Sequence, residues 1–235
     1  MDLNKEPLQF GAILFPQYDL LDVTGTTRML EGFKEHFKIL YLSEDGEPCI
    51  SSGQTSLVCT HSWKNPPRLD ILFVPGGGAG AEVVMQKQEF LDSIKKLASQ
   101  AKYIVSVCTG SAILANAGLL DGKRATSNKM AFPWVVQFGP KVNWVREARW
   151  TEDGNVFTSS GVSAGMDLAI RLVQLVVGEP SVPFLLDVAE YRWNSDPSLD
   201  PFTNVIPDID VSKVKQDGGY VSYHEYYALV KALRK

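Results

Sequence analysis

Sulfur, histidine and excess charge are all scarce in this chain. Its 235 residues include three cysteines (Cys49, Cys59, Cys108) and three histidines (His36, His61, His224), with no CxxC pair. Thiols so few and so scattered exclude a disulfide framework. Without clustered ligands no dedicated metal site is expected. A net charge of -4 gives no electrostatic reason for nucleic acid or an anionic membrane as partner. Every apolar run meets glycine, proline or a charge well short of a membrane span. Neither a P-loop nor a GxGxxG fingerprint occurs, and there is no internal repeat or low-complexity tract. The opening residues 1–6 are polar and acidic rather than basic then apolar, so no secretory leader is expected. The expectation is a reduced, cytoplasmic protein with neither nucleic acid nor membrane as partner.

What remains is ordinary globular material. The hydrophobic fraction of 45% and charged fraction of 21% fit a folded domain, and 235 residues suit one large α/β domain better than two. Residues 8–15, 37–42, 70–75 and 103–107 are apolar runs with the character of buried parallel strands. Helical spacing fills 19–30, 90–101, 130–138, 166–177, 182–193 and 220–235. Glu152-Asp153-Gly154 between two extended stretches predicts a hairpin, and short strands are expected in 48–60 and 124–126. From 194 to 207 the chain is rich in Asp and Pro and reads as extended. Repeated strand–helix alternation predicts a parallel sheet sandwiched by helices.

The chemistry centres on 103–117. The run Tyr103, Ile104, Val105, Ser106, Val107 stops at Cys108, and Thr109-Gly110-Ser111 opens an apolar, Ala-rich helix that reads as hydroxyl-capped. A nucleophilic residue where a strand turns straight into a helix has the geometry of a nucleophile elbow. The helix N-terminus is expected to favour thiolate there. Asp22 sits among Leu20, Leu21 and Val23, where a bare carboxylate would cost several kcal/mol; it is either a first-turn cap or a group at a cleft. Gly76-Gly77-Gly78-Ala79-Gly80 follows a strand and offers free backbone N–H groups to an anion. Ser159-Ser160-Gly161-Val162-Ser163 opens another helix and reads equally as a cap or as close packing near a site.

Five segments together resemble the DJ-1/PfpI superfamily. They are Phe15-Pro16 with 21–25, 74–77, 107–110, 118–126 and 158–167, in family order over residues 8–193. Within it the likeness is to the isocyanide hydratase-like, class I glutamine amidotransferase-like branch. That resemblance implies a flavodoxin-like α/β sandwich over 1–194, with 195–235 as a C-terminal extension packed on the same domain. It also implies a homodimer that uses no cofactor. It further implies Cys108 as nucleophile and Asp22 as the acidic residue facing it, with Gly77, Gly78 and Thr109 around the anion pocket and Asn128 and Gly161 behind. Thr109 stands where several superfamily proteases and glyoxalases have histidine, and Asn128 where hydratase-like relatives often do. Without a histidine base, peptide hydrolysis is disfavoured, since a leaving amine must be protonated.

The activity implied is lyase chemistry on a small-molecule substrate: water added to an isocyanide through a Cys108 thioimidate, giving an N-substituted formamide. The alternatives are a glyoxalase- or deglycase-like activity on 2-oxoaldehydes, or a non-enzymatic, redox-responsive stress protein whose Cys108 oxidises. Transcriptional regulation is disfavoured, because the domain fills the chain and leaves too little for a DNA-binding unit.

Overall fold

The computed structural model describes residues 6–206, 209–211 and 219–234. The chain opens with β1 (Leu8–Ile13), α1 (Leu20–Leu30) and β2 (Phe37–Ser43). Three two-residue strands follow: β3 (Cys49–Ile50), β4 (Ser56–Leu57) and β5 (His61–Ser62). Then come β6 (Ile71–Val74), α2 (Ala79–Met85), α3 (Gln88–Gln100), β7 (Tyr103–Val107) and α4 (Gly110–Asn116). Next are β8 (Arg124–Ala125), α5 (Phe132–Val136), β9 (Asn143–Trp144), β10 (Trp150–Asp153) and β11 (Val156–Ser159). The helices α6 (Ala164–Val176), α7 (Ser181–Ala189) and α8 (Tyr223–Leu233) complete the order.

Seven strands form the main sheet in the order β10-β11-β7-β6-β1-β2-β5. Every pairing in it is parallel except β10 with β11, the expected hairpin, which adds an antiparallel edge. The central strands are apolar on both faces: Ile71, Leu72, Phe73 and Val74 of β6 are all fully buried, as helix-covered parallel strands must be. Helices α1 and α6 pack against each other, Gly25 of α1 meeting the Met166 side chain. The fold is the expected flavodoxin-like α/β sandwich. Adjacent parallel strands place their carboxyl ends, and the loops that follow them, along one edge. Three such loops, after β1, β6 and β7, meet there with the loop after β11.

Local readings depart in three places. Helix α2 was not legible behind its glycines: it begins one residue after Gly78, whose φ of 51° would hardly suit another residue. Helix α7 stops at Ala189 rather than running to 193, because Glu190 takes a left-handed φ of 47°. Tyr191 and Trp193 instead fold back onto Asp167, with Tyr191 Oη donating to its Oδ1 at 3.1 Å. The stretch 142–149 is mostly irregular, with only Asn143–Trp144 extended and paired to β8.

The tail crosses this body through buried charge. Arg149 pairs with Asp167 at 2.8 Å and with Asp200 at 3.7 Å, and Lys129 approaches Asp200 at 3.4 Å, all four side chains nearly inaccessible. Two cations meet two carboxylates, the balance a low-dielectric interior requires. Arg146 adds hydrogen bonds to the carbonyls of Thr203 and Ile206.

Candidate active site

Cys108 follows the last residue of β7 and precedes α4 by one residue, at the strand–helix junction that its sequence predicts. Its φ is 57°, in the left-handed region, a strained conformation for a residue with a Cβ that costs on the order of 1–3 kcal/mol. Hydrogen bonds hold the peptide there. Cys108 N donates to the carbonyls of Ser159 and Ser160, both at 3.2 Å. Its own carbonyl accepts from Ser111 Oγ at 3.0 Å and Ser127 Oγ at 2.8 Å. Gly110 completes the turn, since a Cβ there would collide with the carbonyl oxygen of Val74.

Asp22 reaches the thiol from α1. Asp19 is the N-cap of that helix, accepting from Leu21 N and Asp22 N, so Asp22 is not needed as a cap. Its Oδ2 accepts instead from Gly76 N at 2.8 Å, and Asp19 N donates to Gly76 O, pinning the β6 loop to the start of α1. Oδ1 is buried with no partner at hydrogen-bonding length. Burial, helped by the Asp19 charge, pushes the Asp22 carboxyl well above its ordinary range, against the Gly76 N–H, the Cys108 thiol and the Val162 N–H. Burial likewise pushes the Cys108 thiol well up, seconded by the Asp22 charge and opposed by the N–H groups of Thr109 and Val162. Burial thus opposes the thiolate that the helix terminus favours. A seven-residue helix contributes little against the near-complete enclosure of a thiol only 8% exposed. Thiol and carboxyl share their protons as a coupled pair.

Thr109 lies against the glycine loop. It is the residue before α4 but makes no side-chain cap bond. Its Oγ1 accepts from Gly77 N and from Gly78 N, both at 3.0 Å. The hydroxyl cap expected for α4 is thus spent sideways, and the two glycine donors stand behind Thr109. With both lone pairs engaged, the Thr109 hydroxyl can only act as a donor. The glycines are required by contact: a Cβ on Gly76 would lie 2.7 Å from Asp22 Oδ2, and one on Gly77 2.8 Å from Gln17 O.

Asn128 and Gly161 lie together, the Asn128 amide occupying the space that a Cβ on Gly161 would need. Asn128 Oδ1 also accepts from Ala131 N at 3.1 Å. Sequence reasoning missed four groups. Val162, at φ 45°, turns its N–H toward both the thiol and Asp22. Ser111 and Ser127 hold the Cys108 carbonyl, and Tyr223 comes from α8 at the far end of the chain. Their signals in the sequence are indirect: Val162 and Ser111 lie in small-residue runs at helix starts, and Tyr223 in the helical spacing of 220–235. Cys49 and Cys59 sit together in the β3–β4 region, their thiols raised chiefly by burial, Cys49 to about 11. Among the described residues no cluster of His, Cys, Asp or Glu could hold a metal ion, and no helix is long and apolar enough to cross a membrane.

Residues 12–175 match the model of the DJ-1/PfpI family. An isonitrile hydratase of Pseudomonas putida is 37% identical over 207 residues, covering 88% of this chain and 86% of that protein. The crystal structure of a ThiJ/PfpI family protein from Pseudomonas syringae superposes with a TM-score of 0.74 at 28% identity, covering 99% of this chain and 90% of that one. A transcriptional regulator of Pseudomonas aeruginosa, GbdR, is 28% identical over 176 residues; the chain spans 47% of its length.

Proposed function

The chain belongs to the DJ-1/PfpI family, and we propose that it hydrates isocyanides to N-substituted formamides through a covalent Cys108 adduct. The observation that carries this reading is the enclosed Cys108–Asp22 pair, a nucleophile beside a buried carboxyl group whose hold on its proton is strengthened by that burial. An isocyanide suits such a pair because its terminal carbon takes both the nucleophile and a proton. It has no leaving group, so no histidine acid is required.

In the first step Cys108 Sγ bonds to the terminal carbon, its S–H bond breaks, and that carbon gains a proton through Asp22, giving Cys108–S–CH=N–R. Asp22 Oδ1, unpaired within the protein, is the atom free to exchange it. Water then adds to the same carbon, giving one proton to nitrogen. The C–S bond breaks, sulfur recovers the other proton, and R–NH–CHO leaves. Atoms balance with one water consumed and no redox change. The Thr109 hydroxyl, fixed as a donor by Gly77 and Gly78, faces the nitrogen where negative charge gathers during water attack. Asn128 and Gly161 hold the loop that carries the Val162 N–H.

This reading includes a homodimer working in the cytoplasm without a cofactor. It treats 1–194 as the catalytic domain and 195–235 as an extension on the same body, supported by the ion pairs of Asp200. The test is turnover of a panel of isocyanides, 2-oxoaldehydes and small amides, with Cys108→Ser as the blank. Formamide production that vanishes in Cys108→Ser is the expected result. Lactate from methylglyoxal without formamide would overturn it in favour of a glyoxalase.

A further inference from the structure

Asp22, Thr109 and Val162 gather around the Cys108 thiol, and the glycine loop lies against Thr109 through the N–H groups of Gly77 and Gly78. Tyr223 stands over that loop. A Cβ on Gly78 would come within 2.5 Å of Tyr223 Cζ and 2.7 Å of its Oη, so the phenol end of the ring rests on the backbone that feeds Thr109. Through Gly78, whose N–H donates to Thr109 Oγ1, the ring is tied to the residue next to Cys108.

The ring is held firmly. Tyr223 N donates to both carboxylate oxygens of Glu82 on α2 at 3.1 Å, an acidic side chain at a helix N-terminus. Ser222 and Glu225 form a capping box, and Gln137 exchanges two hydrogen bonds with the Val221 backbone at 2.8 and 3.0 Å. Trp134 meets the ring edge-on at 5.0 Å between centroids, and Tyr227 packs against it at 4.9 Å. The hydroxyl is shared with Tyr227.

We propose that Tyr223 is a specificity-determining residue, an aromatic wall that limits the width of whatever reaches Cys108. On the isocyanide reading, on which this substrate assignment rests, the N-substituent stacks against that wall. Slender or flat substituents are accepted and branched ones are turned away. The ring sets the limit, and the hydroxyl does not.

The experiment compares kcat/KM for methyl isocyanide and tert-butyl isocyanide in the wild type, Tyr223→Phe, Tyr223→Leu and Tyr223→Ala. In parallel, labelling of Cys108 by iodoacetamide and by N-cyclohexylmaleimide is followed by peptide mass spectrometry, which needs no turnover. Tyr223→Phe should keep the wild-type ratio of bulky to small substrate. Tyr223→Ala should raise both the substrate ratio and the labelling ratio by about tenfold or more, the scale at which pocket walls discriminate apolar groups. Tyr223→Leu keeps apolar contact with Trp134 and should shift both ratios in the same direction if the alanine variant does not fold. Unchanged ratios in a folded variant that lacks the ring overturn the inference. A raised labelling ratio in a protein that turns over no isocyanide leaves the wall standing and overturns the reading beneath it.

Discussion

Replacing Asp22 by asparagine separates chemistry from structure. The carboxamide oxygen of Asp22→Asn can still accept the Gly76 N–H that Asp22 Oδ2 takes at 2.8 Å, and Asp19 still caps α1. The new amide group falls where Oδ1 has no partner, so a buried donor goes unpaired at a cost of about 1–3 kcal/mol. Turnover should fall by about 100- to 10,000-fold, the loss of a proton carrier. The difference is about 3–5 kcal/mol of barrier at ~1.4 kcal/mol per decade. Formamide release by Asp22→Asn is assayed at saturating isocyanide, with a thermal melt on the same sample. Asp22→Glu retains an acid, but the carboxyl is enclosed by Gly76 and the Cys108 turn, so its extra methylene costs about 1–3 kcal/mol through overpacking. It should therefore lose less activity than the asparagine variant while giving up comparable stability. Full turnover by a folded Asp22→Asn refutes the catalytic role and leaves Cys108 without its partner.

Linkage adds a second check on the same carboxyl group. A folded-state value raised above the ordinary one means that the native state prefers protonated Asp22. Its contribution is complete below the ordinary carboxylate range and is lost as pH rises through the raised value. The melting temperature of Asp22→Asn should thus gain on that of the wild type as pH climbs, and a pH-independent difference would contradict the shift. Activity should also decline at alkaline pH as the Cys108–Asp22 pair loses its protons; a rate that keeps rising there would count against the protonated pair. Gly110→Ala should disrupt the elbow, since the new methyl meets the Val74 carbonyl; wild-type melting and turnover would count against that contact. Asp200→Ala leaves Lys129 and Arg149 facing Asp167 alone and should cost about 3–5 kcal/mol in denaturant unfolding; a change below ~1 kcal/mol would show the charges to be compensated otherwise.

The sheet, the elbow and the hairpin were legible because each is written in neighbouring residues: β-branched runs, a strand that stops at Cys108, Glu152-Asp153-Gly154 between extended stretches. The partners of those elements are not neighbours. Asp22 reads equally well as a cap until Asp19 is seen to fill that role, and its real donor, Gly76, lies on another loop. The push that burial gives the thiol is not legible, because burial is a property of the assembled body, whereas the helix terminus that argues for thiolate is local. Val162 lies in a small-residue run that the sequence marks, but its positive φ, which valine rarely adopts, no pattern announces. Tyr223 was visible as one aromatic of an amphipathic helix, yet nothing in its spacing says that α8 docks beside α2.

The four charges around the tail also bear on what the extension contributes. Lys129 and Arg149 belong to the body and Asp200 to the tail, so the cluster reaches its charge balance only when both are present. Without Asp200, Arg149 keeps its contact with Asp167, while Lys129 keeps the oxygens of Thr126, Ser127 and Ala148. The extension is in that sense an internal counter-ion for the body it lies on.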